Sequence, residues 1–228
     1  MKNGTFYAVG LGPGDPELVT RKAVRILEGC QVIAAPRTHG DGMIALSIAQ
    51  QAANLAGKAI LPITFHMERN EERRRRNYEK AASDIETYLS AGQDVALLNL
   101  GDVSIYATGG YLAAILRTRG YETELVPGIP SFCAAAARLG ISLTERDTPL
   151  HILPAGSVPF EEALELPGTK VLMKAGRKLP EVISALEQRG LFEKASLVEN
   201  CGLPGERVCK ELSQGADFGY FTTVIVKE

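Results

Sequence analysis

Short apolar runs alternate with amphipathic stretches along the first half of this chain. Phe6–Val9 reads as a strand. Pro16–Glu28 reads as a helix carrying Leu18, Ala23, Ile26 and Leu27 on one side, and Gln31–Ala35 as a second strand closed by Pro36. A helix over Asp41–Ala56 repeats Ile44, Ile48 and Ala52 at helical spacing. Ala59–Ile63 follows as a strand and about Asn70–Ala91 as a charged helix. Asp94–Leu100 is apolar almost throughout, as befits a strand covered on both faces. Ser104–Arg119 then reads as a helix and Glu122–Val126 as a strand. The order β-α-β-α-β-α-β-α-β predicts an α/β layer fold with a mostly parallel sheet.

The second half changes rhythm. A short Ala-rich helix, Ser131–Leu139, is followed by strands at Leu150–Pro154, Thr169–Met173, Ser196–Glu199, Arg207–Glu211 and Tyr220–Val226. Helices at Phe160–Leu164 and Leu179–Gln188 separate some of them. The β-branched run Phe221–Val226 predicts a central strand. The pattern therefore predicts two α/β domains, residues 1–124 with a mostly parallel sheet and residues 125–228 with a mixed one.

Composition narrows the function classes. With 228 residues, 45% of them hydrophobic, the chain can bury cores for two small domains. A net charge of −2 and the absence of Trp speak against a nucleic-acid partner. No apolar run is long enough to span a bilayer, and Thr5–Val9 enters a strand pattern at once, so no membrane partner and a cytoplasmic location are expected. Cys30, Cys133, Cys201 and Cys209 form no C-x-x-C pair, and His39, His66 and His151 are scattered. No metal site is expected, and the cysteines read as buried free thiols.

Candidate chemistry lies in two glycine-rich loops, each leaving a predicted strand. The first is Gly10-Leu11-Gly12-Pro13-Gly14-Asp15-Pro16, the second Gly101-Asp102-Val103-Ser104-Ile105-Tyr106. Ligands on parallel sheets sit at the carboxyl ends of the strands, where both loops start. The first loop fails the G-x-G-x-x-G spacing, and no acidic residue closes the second strand, which disfavours a dinucleotide site. Asp15 reads as a helix cap with Pro16 at the first helical position, and Asp102 or Ser104 as the cap of the later helix. A third segment, Pro127-Gly128-Ile129-Pro130-Ser131, is rigid, presents backbone N–H groups, and places Ser131 to cap a helix or meet a ligand.

In this order and at these separations, the three segments resemble the tetrapyrrole (corrin/porphyrin) methylases, whose signatures run G-x-G-P-G-D, G-D-P-x-x-Y and V-P-G-x-S. Thr169–Lys174, Leu197–Asn200 and the C-terminal strand fit the same family, so the resemblance covers nearly the whole chain. Val103 stands where proline is usual. Within the family, Tyr7–Ala23, Ser131–Gly140 and Leu150–Ala155 look most like enzymes that methylate C20 of precorrin-2 or cobalt-factor II in cobalamin biosynthesis.

The resemblance implies S-adenosylmethionine as cofactor, a tetrapyrrole substrate, a homodimer, and a cofactor cleft between the two domains. It places the cofactor contacts at Pro13, Leu100, Gly101, Asp102, Ile105, Tyr106, Ser131, Phe132, Met173, Lys174, Cys201, Gly202 and Thr222. Without the resemblance, Met173 would read as core packing. Gly12, Asp15 and Arg37 are the implied substrate contacts, Arg37 as a cation for ring carboxylates. Asp15, Asp102 and Tyr106 remain alternatives as the group that takes the C20 proton. Four consecutive arginines, Arg73–Arg76, point around a helix and read as solvated surface paired with Glu68, Glu71, Glu72 and Glu79, with one or two of them at most meeting substrate. Methylation at another ring position or on a non-tetrapyrrole acceptor, and a cofactor-binding sensor without turnover, are the alternatives.

Overall fold

A computed structural model describes residues 2–37, 42–65, 70–155, 160–212 and 217–227. Two compact units divide the chain, Met1–Pro130 and Ser131–Glu228. The division falls later than residue 124 because the strand at Thr123–Val126 pairs with the first strand and completes the first sheet. Asp41, expected to open a helix, and Glu68 lie outside the described residues, as do His39 and His66.

The first unit runs β1 (Phe6–Gly10), α1 (Arg21–Gly29), β2 (Val32–Arg37), α2 (Ile44–Ala52), β3 (Ala59–Thr64), α3 (Glu71–Ser90), β4 (Val95–Asn99), α4 (Gly109–Thr118) and β5 (Thr123–Val126). The strands lie in the order β3-β2-β4-β1-β5, and every pairing between them is parallel. Right-handed crossovers send α1 and α2 to one face and α3 and α4 to the other. On the second face Phe6, Ala8, Val32, Ala34, Val95 and Leu97 pack against Ala81, Ile85, Leu89, Leu112 and Leu116. Val9, Ile33, Ala35, Ala96 and Leu98, at the alternate positions, are buried as well. That double burial explains why these strands read as continuous apolar runs.

Two expected helices begin elsewhere. Pro16–Leu18 is a single 3-10 turn, in which the Asp15 carboxylate accepts the N–H of Glu17 at 2.9 Å. The α1 helix has its own cap, Thr20, whose Oγ1 accepts from Ala23 N at 3.1 Å. The helix expected from Ser104 starts only at Gly109. Tyr106, at φ 49°, adopts a left-handed conformation that no α-helix contains. Gly109 opens α4 because buried Asn99 Oδ1 accepts its N–H at 3.1 Å, while Asn99 Nδ2 donates to the Leu97 carbonyl at 3.0 Å.

The second unit runs α5 (Ser131–Leu139), β6 (Leu150–Pro154), α6 (Phe160–Leu164), β7 (Thr169–Met173), α7 (Leu179–Gln188), β8 (Ala195–Glu199), β9 (Arg207–Cys209) and β10 (Thr222–Val226). Its sheet has the order β6-β7-β10-β8-β9. The β6–β7 pair is parallel and the other three pairs are antiparallel. Leu172, Leu197, Val224 and Val226 pack with Leu179, Val182 and Leu186 of α7, and α5 packs on β8 and β10. The last strand is central, as its composition predicts.

Side chains on the surface depart in part from expectation. Arg73–Arg76 are all exposed, and Arg76 pairs with Glu72 at 3.3 Å. Glu79 belongs to another network: Arg119, at the end of α4, reaches across to Glu79 and Glu86 of α3. No disulfide joins the four cysteines, but they are not all buried: Cys133, on α5, is exposed, and Cys209, on the edge strand β9, is half-buried.

Candidate functional site

In the first unit β1 and β4 are neighbours whose chains leave in opposite directions. The exit from β1 leads to β2 beyond β4, and the exit from β4 leads past β1 to β5. Such a topological switch leaves an open crevice at the carboxyl ends of the two strands. Both glycine-rich loops begin there. They are joined by an antiparallel bridge, Gly12 N to Gly101 O at 3.2 Å and Gly101 N to Gly12 O at 2.7 Å. Gly12 and Gly101 sit at φ 73° and 71°, the left-handed region that glycine enters without penalty.

The third segment closes on the same point. A Cβ added to Gly10 would lie 2.6 Å from Gly128 N and 2.9 Å from Gly101 O. One added to Gly128 would collide with the Gly101 carbonyl oxygen. Three backbones therefore meet where any side chain would separate them. Asp102 fastens the meeting. One carboxylate oxygen accepts Ser104 N at 2.8 Å and the Ser104 hydroxyl. The other accepts Gly128 N at 2.8 Å. Burial by itself would raise the Asp102 pKa, but the hydrogen bonds from Ser104, Gly128 and Val103 outweigh it and hold the carboxyl below the usual aspartate value. Asp102 is thus a clasp rather than a helix cap.

The other candidates of this unit lie around the clasp at different depths. Gly12 and Pro13 are buried, while Leu100, Ile105 and Asp15 are half-buried. Tyr106 is 49% exposed. Arg37 is exposed at the carboxyl end of β2, one strand beyond β4.

In the second unit β7 and β8 run parallel to each other on either side of β10, so their carboxyl ends meet the start of β10. Five candidates gather there: Met173 at the end of β7 and Lys174 just after it, Cys201 and Gly202 after β8, and Thr222 at the head of β10. The Ala175 N–H donates to the Thr222 carbonyl at 2.9 Å and Asn200 N to the Phe221 carbonyl at 3.0 Å. Lys174 and Asn200 leave their strands at φ 58° and 50°, turning the chain sharply at matching places. Met173, Cys201 and Thr222 are buried, whereas Lys174 and Gly202 are half-buried. The Gly202 N–H is already engaged by Glu206 Oε2 at 2.6 Å. Ser131 is the first residue of α5 rather than a residue ahead of it, and Phe132 beside it is buried.

Sequence reasoning missed how Asn99, Asn200, Glu199, Arg207 and Gly219 hold these edges, and gave Ser104 only as a possible helix cap. Asn200 carried a legible signal, since asparagine before Cys-Gly at a strand end favours the left-handed turn it makes. Among the described residues, no group of three His, Cys, Asp or Glu side chains could hold a metal ion. No helix among them is long and apolar enough to cross a membrane.

Residues 5–215 match the Tetrapyrrole (Corrin/Porphyrin) Methylases. The cobalt-precorrin-2 C(20)-methyltransferase of Salmonella typhimurium is 30% identical, over 99% of this chain and 97% of its own length. The precorrin-2 C(20)-methyltransferase of a Sinorhizobium species is also 30% identical, over 98% and 95%. The cobalamin biosynthesis protein CobIJ of Mycobacterium tuberculosis is 36% identical over 90% of this chain, which spans only 42% of that longer protein. Among solved structures, uroporphyrin-III C-methyl transferase from Thermus thermophilus, complexed with S-adenosyl homocysteine, superposes with a TM-score of 0.71 at 24% identity, over 99% of this chain and 98% of that one.

Proposed function

Because this chain belongs to the tetrapyrrole (corrin/porphyrin) methylases, we propose that it uses S-adenosylmethionine to methylate C20 of precorrin-2 or of its cobalt form, in cobalamin biosynthesis. The observation that carries the reading is the joining of the two glycine-rich loops, with Gly128 packed against both, at a topological switch, where parallel sheets take ligands in the crevice at the carboxyl ends of the strands. Names given to full-length relatives point to the same ring carbon with and without cobalt.

The residues fit such a cofactor. Glycines allow close approach, and backbone N–H groups can hold a carboxylate. We assign the cofactor contacts to Pro13, Leu100, Gly101, Asp102, Ile105 and Tyr106 in the first unit. In the second unit they fall to Ser131, Phe132, Met173, Lys174, Cys201, Gly202 and Thr222. When bound, the cofactor supplies a methyl group already activated by a sulfonium charge. The chain's task is then to orient two large ligands and exclude water, an effect that reaches about 7–11 kcal/mol in favourable cases. Gly12, Asp15 and Arg37 serve the tetrapyrrole, Arg37 by pairing with peripheral carboxylates. Asp102, with both oxygens engaged and a lowered pKa, is poorly suited to take the C20 proton, which leaves Asp15 and Tyr106 as the candidates.

Anaerobic incubation with S-adenosylmethionine and either metal-free precorrin-2 or cobalt-factor II, followed by mass spectrometry and NMR, tests the reading. One new methyl at C20 is expected, and the preferred ring assigns the route. A methyl at another carbon retains the family and overturns the C20 assignment. Binding without turnover on either ring favours a sensor. The homodimer and the cytoplasmic location belong to the same proposal, and sedimentation equilibrium tests the former.

A further inference from the structure

One buried carboxylate in the second unit is held by groups that are not assigned to the ligand, yet those groups lead to the ones that are. Glu199 ends β8, and its side chain is 7% exposed. One of its oxygens accepts the N–H of Gly219, and the other accepts Arg207 Nε at 2.5 Å. Arg207 also donates from Nη2 to the Asp217 carbonyl at 2.5 Å and lies over the Phe218 ring, 4.0 Å from its centroid. Asp217, Phe218 and Gly219 are thus held in succession by one ion pair.

Gly219 in turn touches all three strand ends at which the candidate contacts gather. Its carbonyl accepts the Thr222 hydroxyl at 2.7 Å, at the head of β10. Gly176, just after β7, packs so closely on it that a Cβ on Gly176 would overlap the Gly219 carbonyl and lie 2.7 Å from that of Phe218. A Cβ on Gly219 itself would stand 2.9 Å from Glu199 Oε1. A surface ion pair contributes little because both partners stay solvated. Here the carboxylate is withdrawn from solvent and its second oxygen is committed to a backbone N–H, an arrangement whose loss leaves buried groups without their partners.

We propose that Glu199, clamped by Arg207, is a positioning residue for the cofactor: it fixes Gly219 and thereby the spacing of Lys174, Cys201 and Thr222, without touching the ligand. The inference rests on the proposed methyltransferase reading, and it predicts a selective effect on one of two substrates.

The test is titration calorimetry with S-adenosylhomocysteine on the full chain and on Glu199→Gln, Arg207→Gln and Arg207→Lys, paired with steady-state kinetics. Arg207 is exposed on β9, so its variants should fold even if Glu199→Gln does not. Leu186→Ala, in the α7 core, serves as a control that lowers stability away from the clasp. Arg207→Gln and Glu199→Gln are expected to weaken S-adenosylhomocysteine binding about five- to twentyfold and to raise the KM for S-adenosylmethionine. The KM for the tetrapyrrole should stay within about twofold, Arg207→Lys should recover part of the loss, and Leu186→Ala should bind as the parent does. If the parent binds and the folded Arg207→Gln binds equally well, or if Leu186→Ala weakens binding as much, the positioning role is overturned while the methyltransferase reading stands. If the parent does not bind S-adenosylhomocysteine, the methyltransferase reading falls and this inference with it.

Discussion

Asp102 concentrates three roles in one carboxylate. It closes the turn through Ser104, draws in Gly128, and is itself held ionised by the donors around it. Replacing it with Ala leaves the Gly128 N–H without its acceptor, at a cost of about 1–3 kcal/mol. Urea denaturation should show that loss, and calorimetry should show weakened S-adenosylhomocysteine binding. The folded pKa lies below the unfolded one, so the clasp's stabilisation is present above about pH 4, the ordinary aspartate value, and disappears as pH falls through the lower folded value. Stability measured against pH should accordingly fall less steeply on the acid side in Asp102→Asn than in the parent. Thiols offer a second contrast. Burial, with the nearby charge of Asp94, pushes Cys30 up to about 12; partial burial also raises the Cys133 thiol, but Cys133 is exposed to a reagent while Cys30 is buried. A thiol reagent near pH 8 should modify Cys133 in the native protein and reach Cys30 only on unfolding.

Elements explain which glycines tolerate a side chain. Gly29 ends α1 at a negative φ, and nothing lies within 4 Å of the place its Cβ would take. Gly29→Ala should therefore stabilise the chain by about 0.4–1 kcal/mol through the unfolded state. Gly10→Ala drives a methyl group into Gly128 and Gly101. It should cost about 1–3 kcal/mol and abolish S-adenosylhomocysteine binding, which thermal melts and calorimetry read separately. Much of the element order was legible. Thr169–Met173 and Leu179–Gln188 stand as the pattern predicts, because Gly-Pro punctuation and a strong period bound both. The helix start at Gly109 was not legible, since Ser104–Arg119 keeps a helical pattern and only the tertiary hold of Asn99 and the left-handed Tyr106 interrupt it. The glycine loops could be read as one locus, but the Asp102–Gly128 clasp that joins them could not. Likewise no local pattern announces that Glu199 meets Gly219, twenty residues away.

For the whole molecule, ligand binding and stability are one measurement. A ligand held by the folded state alone, at a hundred times its dissociation constant, adds about 2.7 kcal/mol. For a chain of this size that corresponds to a rise of about 5–11 °C in the melting midpoint. S-adenosylhomocysteine should produce such a rise in the parent, and adenosine without the amino-acid portion should produce less. An unchanged midpoint at saturating S-adenosylhomocysteine would count against the cofactor assignment.

The place of β10 in the second sheet also sets a timetable. Residues 222–226 form the middle strand, with β7 on one side and β8 on the other. During synthesis the first sheet has all five of its strands once residue 126 has left the ribosome. The second must wait, its β7 and β8 separated by an empty lane, until the final strand arrives. A nascent chain of this protein should pass through a stage in which one half resists protease and the other is still cut readily. Competence to hold the cofactor would then be gained in a single late step, when Thr222 takes its place.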